Sequence, residues 1–199
     1  MGAVDDFPNN FETYEIATRK YDWERIDALN DTTLGGWRLK ALLSELPNLL
    51  LESEVVFALA TGTLGPEMGK NPEMKFSGVG LLVLTNERLL IVGEMSNNLT
   101  IRHSKIQAIS ATEGFFLAKV LITLGGRVIV FTNCEKKAAK VIVKMANKWQ
   151  STLETQNHKD GAEINSNSTM NDLEKLVELY KSGMLSEEEF SLAKKKIIE

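Results

Sequence analysis

Up to about residue 50 the apolar residues recur at three- and four-residue intervals; beyond it they bunch into short runs separated by turn-forming residues. Leu39, Leu42, Leu43 and Leu46 share one helical face, and Pro47 is expected to stop that helix. A shorter helix is predicted over 21–29, set off by Asn30-Asp31-Thr32, while residues 1–20 are polar and lack clean periodicity. From Glu54 the period is that of strands. Runs at 55–61, 79–85, 88–92, 99–102, 106–113, 119–124 and 127–131 predict seven short strands. Between the first two, residues 61–78 carry Pro66, Pro72 and several glycines and read as a long loop. Asn86-Glu87 reads as a turn. Gly125-Gly126 predicts a two-residue hairpin, because that turn needs positive φ. Asn133 is then expected to cap a closing helix whose stripe Ala138, Ile142, Met145 and Trp149 packs on the strands.

Residues 150–169, rich in Asn, Ser, Thr and charge, read as a flexible linker. Beyond it Leu173, Leu176, Val177 and Tyr180 fall on one helical face. Gly183 can close that helix in the left-handed conformation. Ser186 with Glu189 reads as a capping box opening a second helix lined by Phe190, Ala193 and Ile197. A hairpin of this size cannot bury a self-sufficient core, so it must lean on its own chain, a second copy or another protein. Leu179 and Leu192 fall off the faces the two helices share, which points to a surface that something else covers.

The run Ser182-Gly-Met-Leu-Ser-Glu-Glu-Glu-Phe190 followed by Lys194-Lys195-Lys196 resembles the SHOCT family, a short C-terminal domain of bacterial proteins. That resemblance implies an interaction or oligomerisation segment without catalysis. The contact residues it suggests are Leu173, Leu176, Leu179, Tyr180, Met184, Leu185, Phe190, Leu192 and Ile197. The preceding pieces, Gly80-Leu-Leu-Val-Leu-Thr-Asn-Glu-Arg-Leu-Leu-Ile-Val92, Ile101-Arg-His-Ser-Lys-Ile-Gln-Ala-Ile109 and Val128-Ile-Val-Phe-Thr132, resemble bacterial pleckstrin-homology-like (PH-like) domains of the YokE-like type. The likeness implies a seven-stranded, strongly bent sheet plugged at one end by a helix.

Chemistry is sparse. His103 and His158 are the only histidines, in no ligand-type spacing, and His103 reads as an exposed turn residue. Cys134 is alone, which excludes an internal disulfide and fits a reducing compartment; it reads as a passive thiol. Gly62-Thr-Leu-Gly-Pro-Glu-Met-Gly69 lacks the Gly-Lys-Ser/Thr of a phosphate loop. The start has neither a basic segment nor an apolar core of the secretory kind, and no run is apolar enough to span a bilayer.

Charge is distributed unevenly: −4 over 1–50, +4 over 51–151 and −4 over 152–199. Bulk attraction to nucleic acid or to an anionic membrane is therefore weak. In the 61–78 loop, where lipid-binding eukaryotic PH domains cluster basic residues, Lys70 and Lys75 are offset by Glu67 and Glu73. Lys137, Lys140, Lys144 and Lys148 form a stripe on the closing helix. It reads as a solvated face, or more sharply as a dock for acidic residues, the chain's own acidic ends among them. Lys70, Lys75 and these four are the candidate contacts for an anion or an acidic partner.

The expected fold is thus α+β: an N-terminal helical extension over 1–39, a PH-like domain over 40–150, a linker over 151–169 and a helical hairpin over 170–199. The expected function is non-enzymatic protein recognition, with the tail serving oligomerisation or partner contact in a cytoplasmic bacterial or prophage-encoded protein. A role in phage–host interaction is open. Expected partners are proteins, a homo-oligomer first among them, and not nucleic acid. Peripheral binding of anionic lipid through the PH-like domain is the alternative. No catalytic, cofactor-binding or metal-binding residues are assigned.

Overall fold

The computed structural model describes residues 3–36, 39–65, 68–69, 78–93 and 98–156, together with Val177, Phe190 and Lys194. Residues 1–150 make one compact unit and 151–199 a second. In the first unit, helices α1 (Ala3–Asp6), α2 (Phe11–Arg19), α3 (Trp23–Asn30) and α4 (Leu39–Leu49) precede the strands. These are β1 (Val56–Leu64), β2 (Met68–Gly69), β3 (Gly78–Thr85), β4 (Arg88–Gly93), β5 (Leu99–Arg102), β6 (Ala108–Glu113), β7 (Ala118–Leu124) and β8 (Arg127–Cys134). A 3-10 turn, His103–Lys105, links β5 to β6, and residues 136–156 form the closing helix α5.

The strands pair antiparallel in the order β5-β4-β3-β1-β8-β7-β6, with the two-residue β2 on β8. Strand β1 joins the two halves. It pairs along its length with β3, while Thr63 and Leu64 also meet Thr132 and Phe131 of β8. The sheet folds over at this point because Gly62 lets it. A Cβ there would stand 2.5 Å from the Thr132 carbonyl oxygen and 2.6 Å from the Phe131 ring. Gly125 and Gly126, at φ +45° and +94°, form the tight β7–β8 turn expected of them.

Two hydrophobic clusters lie on opposite faces of β1, β3 and β4. One encloses Phe57, Leu82, Leu84, Leu89, Ile91, Ile122 and Phe131 and is closed by Ala138, Ile142 and Met145 of α5. The other packs Val56, Leu59, Leu81, Val83, Leu90 and Val92 against Ala17, Trp23, Ile26, Leu42 and Leu46 of α2–α4. Burial on both faces explains why β3 and β4 read as unbroken apolar runs, whereas β7, with only alternate residues fully buried, alternates.

Several local readings are corrected. The polar 1–20 segment contains α1 and α2, with Phe7, Tyr14 and Ala17 buried. Its core contribution comes from aromatic residues rather than from an aliphatic stripe. Pro47 lies within α4, two residues before its end, where the missing N–H removes a single ladder bond. Strand β1 runs to Leu64, so the loop after it is shorter than the glycines and prolines suggest. Asn133 is not a helix cap. It sits in β8 at φ +59°, beside a one-residue register shift between β7 and β8. A bulge there needs a residue that tolerates the left-handed region, and Asn is one. The first helical bond of α5 is instead accepted by the Glu135 carbonyl, from Ala139 N–H at 3.0 Å.

Candidate functional site

The lysine stripe of α5 is occupied within the chain. Lys144 Nζ lies 2.5 Å from Asp5 Oδ1, and Lys137 pairs with Asp31. Lys140 pairs with Glu113 at 2.6 Å. Lys148 Nζ donates to the carbonyls of Val4, Asp5 and Phe7 at 2.9–3.2 Å. Lys137, Lys144 and Lys148 thus fasten the N-terminal segment to α5, and Lys140 ties α5 to the end of β6. Each exposed pair contributes little alone, and their number along one helix is what fixes the segment. Beside them Trp149, half-buried, donates from Nε1 to the Asn86 carbonyl at 2.8 Å, and its ring centroid lies 5.0 Å from that of Phe57 and 6.0 Å from those of Phe7 and Phe11.

The groups that could carry chemistry are buried and engaged. His103 is buried rather than exposed, because the 3-10 turn folds it under the sheet. Its Nε2 lies 2.8 Å from the Thr85 carbonyl. A carbonyl only accepts, so Nε2 carries the proton and Nδ1 is bare, without a partner among the described residues. Burial holds its pKa below the ordinary value, against the opposing pull of the Thr85 carbonyl and of Glu87 and Glu54. Burial likewise pushes the Cys134 thiol up to about 12, which makes it a poor nucleophile. Among the described residues no three or more His, Cys, Asp and Glu side chains gather as a metal site requires, and no helix is long and apolar enough to cross a membrane.

A separate concavity lies on the sheet. A groove of about 750 Å³ runs between edge strand β5 and the β7–β8 hairpin. Ile101, Leu124 and Ile129 form its apolar floor, and Arg102, Lys105 and Arg127 stand at its walls. Arg102 and Lys105 are exposed and Arg127 is half-buried; among the described residues no Asp or Glu lines it. The sheet order creates this opening: β5 and β6 are the two ends of the sheet and do not pair with each other. The sequence reading missed the groove, since its cations are scattered over two separate segments and converge only when the sheet bends. Lys70 and Lys75 lie outside the described residues, as do Leu173, Leu176, Leu179, Tyr180, Met184, Leu185, Leu192 and Ile197. Phe190 is helical and half-buried.

Residues 52–148 match the family described as bacterial PH domain, and this span is a bacterial PH-like domain. No curated protein matches the chain in sequence. Among solved structures, the chain is similar to the C-terminal domain of an unknown protein from Leishmania infantum, at 14% identity over 55% of this chain and 95% of that one, TM-score 0.41. It is similar to the Vps36 N-terminal PH domain, at 14% identity over 53% and 86%, TM-score 0.41. A DUF1696 family protein with a pleckstrin-homology domain from Shewanella loihica PV-4 is similar at 17% identity over 56% and 97%, TM-score 0.32.

Proposed function

We propose that the chain is a non-enzymatic adaptor whose PH-like domain recognises an acidic protein segment in the groove beside β5. The observation that carries this reading is the groove itself: an open apolar floor with Arg102, Lys105 and Arg127 around it and no acid among the described residues of the lining. An apolar trough with cations at its walls suits a short segment carrying both carboxylates and aliphatic side chains. The tail, read as SHOCT-like, supplies the second contact, most simply with a second copy.

Binding of the full chain to an array of short acidic–aliphatic peptides tests the groove. Some should bind in a salt-sensitive way, and Arg102→Glu with Lys105→Glu should abolish that binding without changing the melting temperature, since both side chains are exposed. Peptides that bind wild type and variant alike, or that bind neither, remove the groove from consideration. Mass-resolved size exclusion of the full chain beside a 1–156 truncation tests the tail. Self-assembly requires that only the full chain be larger than a monomer.

A further inference from the structure

We propose that the β6–β7 hairpin tip is a wedge that enters the interfacial layer of an anionic lipid bilayer. This inference is independent of the groove. Residues 114–117 join β6 to β7, and the Gly114 N–H closes the turn on the Leu117 carbonyl at 2.8 Å. Turn tips are most often built from Gly, Pro, Asn, Asp or Ser, yet after Gly114 this one carries Phe115, Phe116 and Leu117. Phe115 is 86% exposed, Phe116 81% and Leu117 45%. The two rings meet edge to face with centroids 4.5 Å apart, so they present one apolar surface instead of two mobile side chains. They add nothing to either core cluster, and a solvent-facing pair of this kind needs an occupant to make sense.

The charges behind the tip select the occupant. Lys136 Nζ donates to the Phe115 carbonyl at 2.8 Å, which fixes an ammonium directly behind the wedge. Lys119 is exposed and stands opposite Thr112, one residue pair behind the last pair of the hairpin, Glu113 with Ala118. Glu113, the acid closest to the tip in sequence, is neutralised by Lys140. Lys119, Lys136 and Lys140 against Glu113 and Glu135 leave this collar net positive by one charge. An aromatic front with cations one layer back follows the order of a bilayer surface, acyl chains first and phosphates next. A protein pocket for two rings would not require that layering. Because the collar charge is small, binding rests mainly on the aromatic wedge, with charge as the second of two weak signals.

Flotation of the full chain with vesicles tests this, using phosphatidylcholine alone and phosphatidylcholine mixed with one-third phosphatidylglycerol. Wild type should float with the mixed vesicles more than with the neutral ones, and part of that binding should survive high salt. Phe115→Ser with Phe116→Ser should lower the partition coefficient by about tenfold or more, each ring being a large apolar group removed from the bilayer. Its melting temperature should be unchanged, as both rings are solvent-exposed. Lys119→Glu should lower only the preference for the mixed vesicles. Failure of wild type to float with either vesicle overturns the proposal, as does equal flotation of the Ser variant. So does a change in the vesicle-free sedimentation coefficient of the Ser variant, which would assign the tip to a second copy of the chain.

Discussion

The buried ionisable residues set how this protein responds to pH. The Glu54 side chain is fully buried and bound on every side. Arg88 reaches it through Nε at 2.8 Å and Nη2 at 2.9 Å, with Thr85 Oγ1 at 2.7 Å and the Leu51 N–H at 2.8 Å. Burial alone would raise its pKa; the bonds from Arg88, Leu51 and Thr85 outweigh that and hold it below the ordinary value. Glu54 therefore contributes stability above the usual carboxylate range that disappears as pH falls through it. Arg88→Met leaves a buried, unpaired carboxylate and should cost about 3–5 kcal/mol in urea unfolding at neutral pH; a loss below about 1 kcal/mol would show that Glu54 is not held as an ion. His103 acts in a higher window. Its folded pKa is depressed, so the unfolded chain takes up a proton first and stability declines as pH drops through about 6.5. His103→Gln can keep a donor toward Thr85 without a titrating ring. It should flatten the decline in melting temperature between about pH 7.5 and about pH 5.5. Parallel curves for wild type and variant would assign the decline to other groups.

At the scale of elements, the turns and bends depend on backbone conformations that few residues can supply. At Gly125 and Gly126 an added Cβ would meet nothing within 4 Å, so the demand is purely for positive φ. Gly125→Val with Gly126→Val should destabilise by about 2–4 kcal/mol, seen as an earlier urea midpoint with an unchanged slope; a midpoint equal to wild type would mean the turn has other conformations available. Gly62→Ala poses the opposite problem. Its Cβ would press on the Thr132 carbonyl and the Phe131 ring, and a cost of about 1–3 kcal/mol is expected by the same measurement. These two sites show which elements were legible beforehand. The hairpin glycines announce themselves because everything they need lies in the adjacent strands. Gly62 reads only as part of a loop, since what it approaches is some seventy residues further along the chain. Asn133 misleads for a related reason. Asn suits a helix cap and a left-handed bulge alike, and only the pairing of β7 with β8 selects the second.

For the whole molecule, the PH-like span and the folding unit differ in extent. Residues 52–148 carry the family likeness, yet Phe57 within that span packs on Phe7, Phe11 and Tyr14, with ring centroids at 4.7, 5.7 and 6.0 Å. Polar bonds join the same pieces. Asn30 Nδ2 donates to the Phe57 carbonyl at 2.9 Å while its Oδ1 accepts from Tyr14 Oη at 2.8 Å, and Thr18 Oγ1 accepts from the Val56 N–H at 2.9 Å. Among the described residues, the outer face of β3 and β4 is sealed by α2–α4. The lysine stripe was legible from its spacing, but not what it holds, because Asp5 and Asp31 precede it by more than a hundred residues. Removing the N-terminal helices should therefore do more than trim an appendage. It exposes the part of the sheet covered by α2 and α3, strips Phe57 and Trp149 of Phe7 and Phe11, and leaves Lys137, Lys144 and Lys148 without their partners. We expect a 40–150 fragment to bind a hydrophobic dye and to unfold without a cooperative transition. A 1–156 fragment should keep the sharp thermal transition of its domain in the full chain. If 40–150 melts as cooperatively and as high as 1–156, the helices are an accessory layer, and the core must close without them.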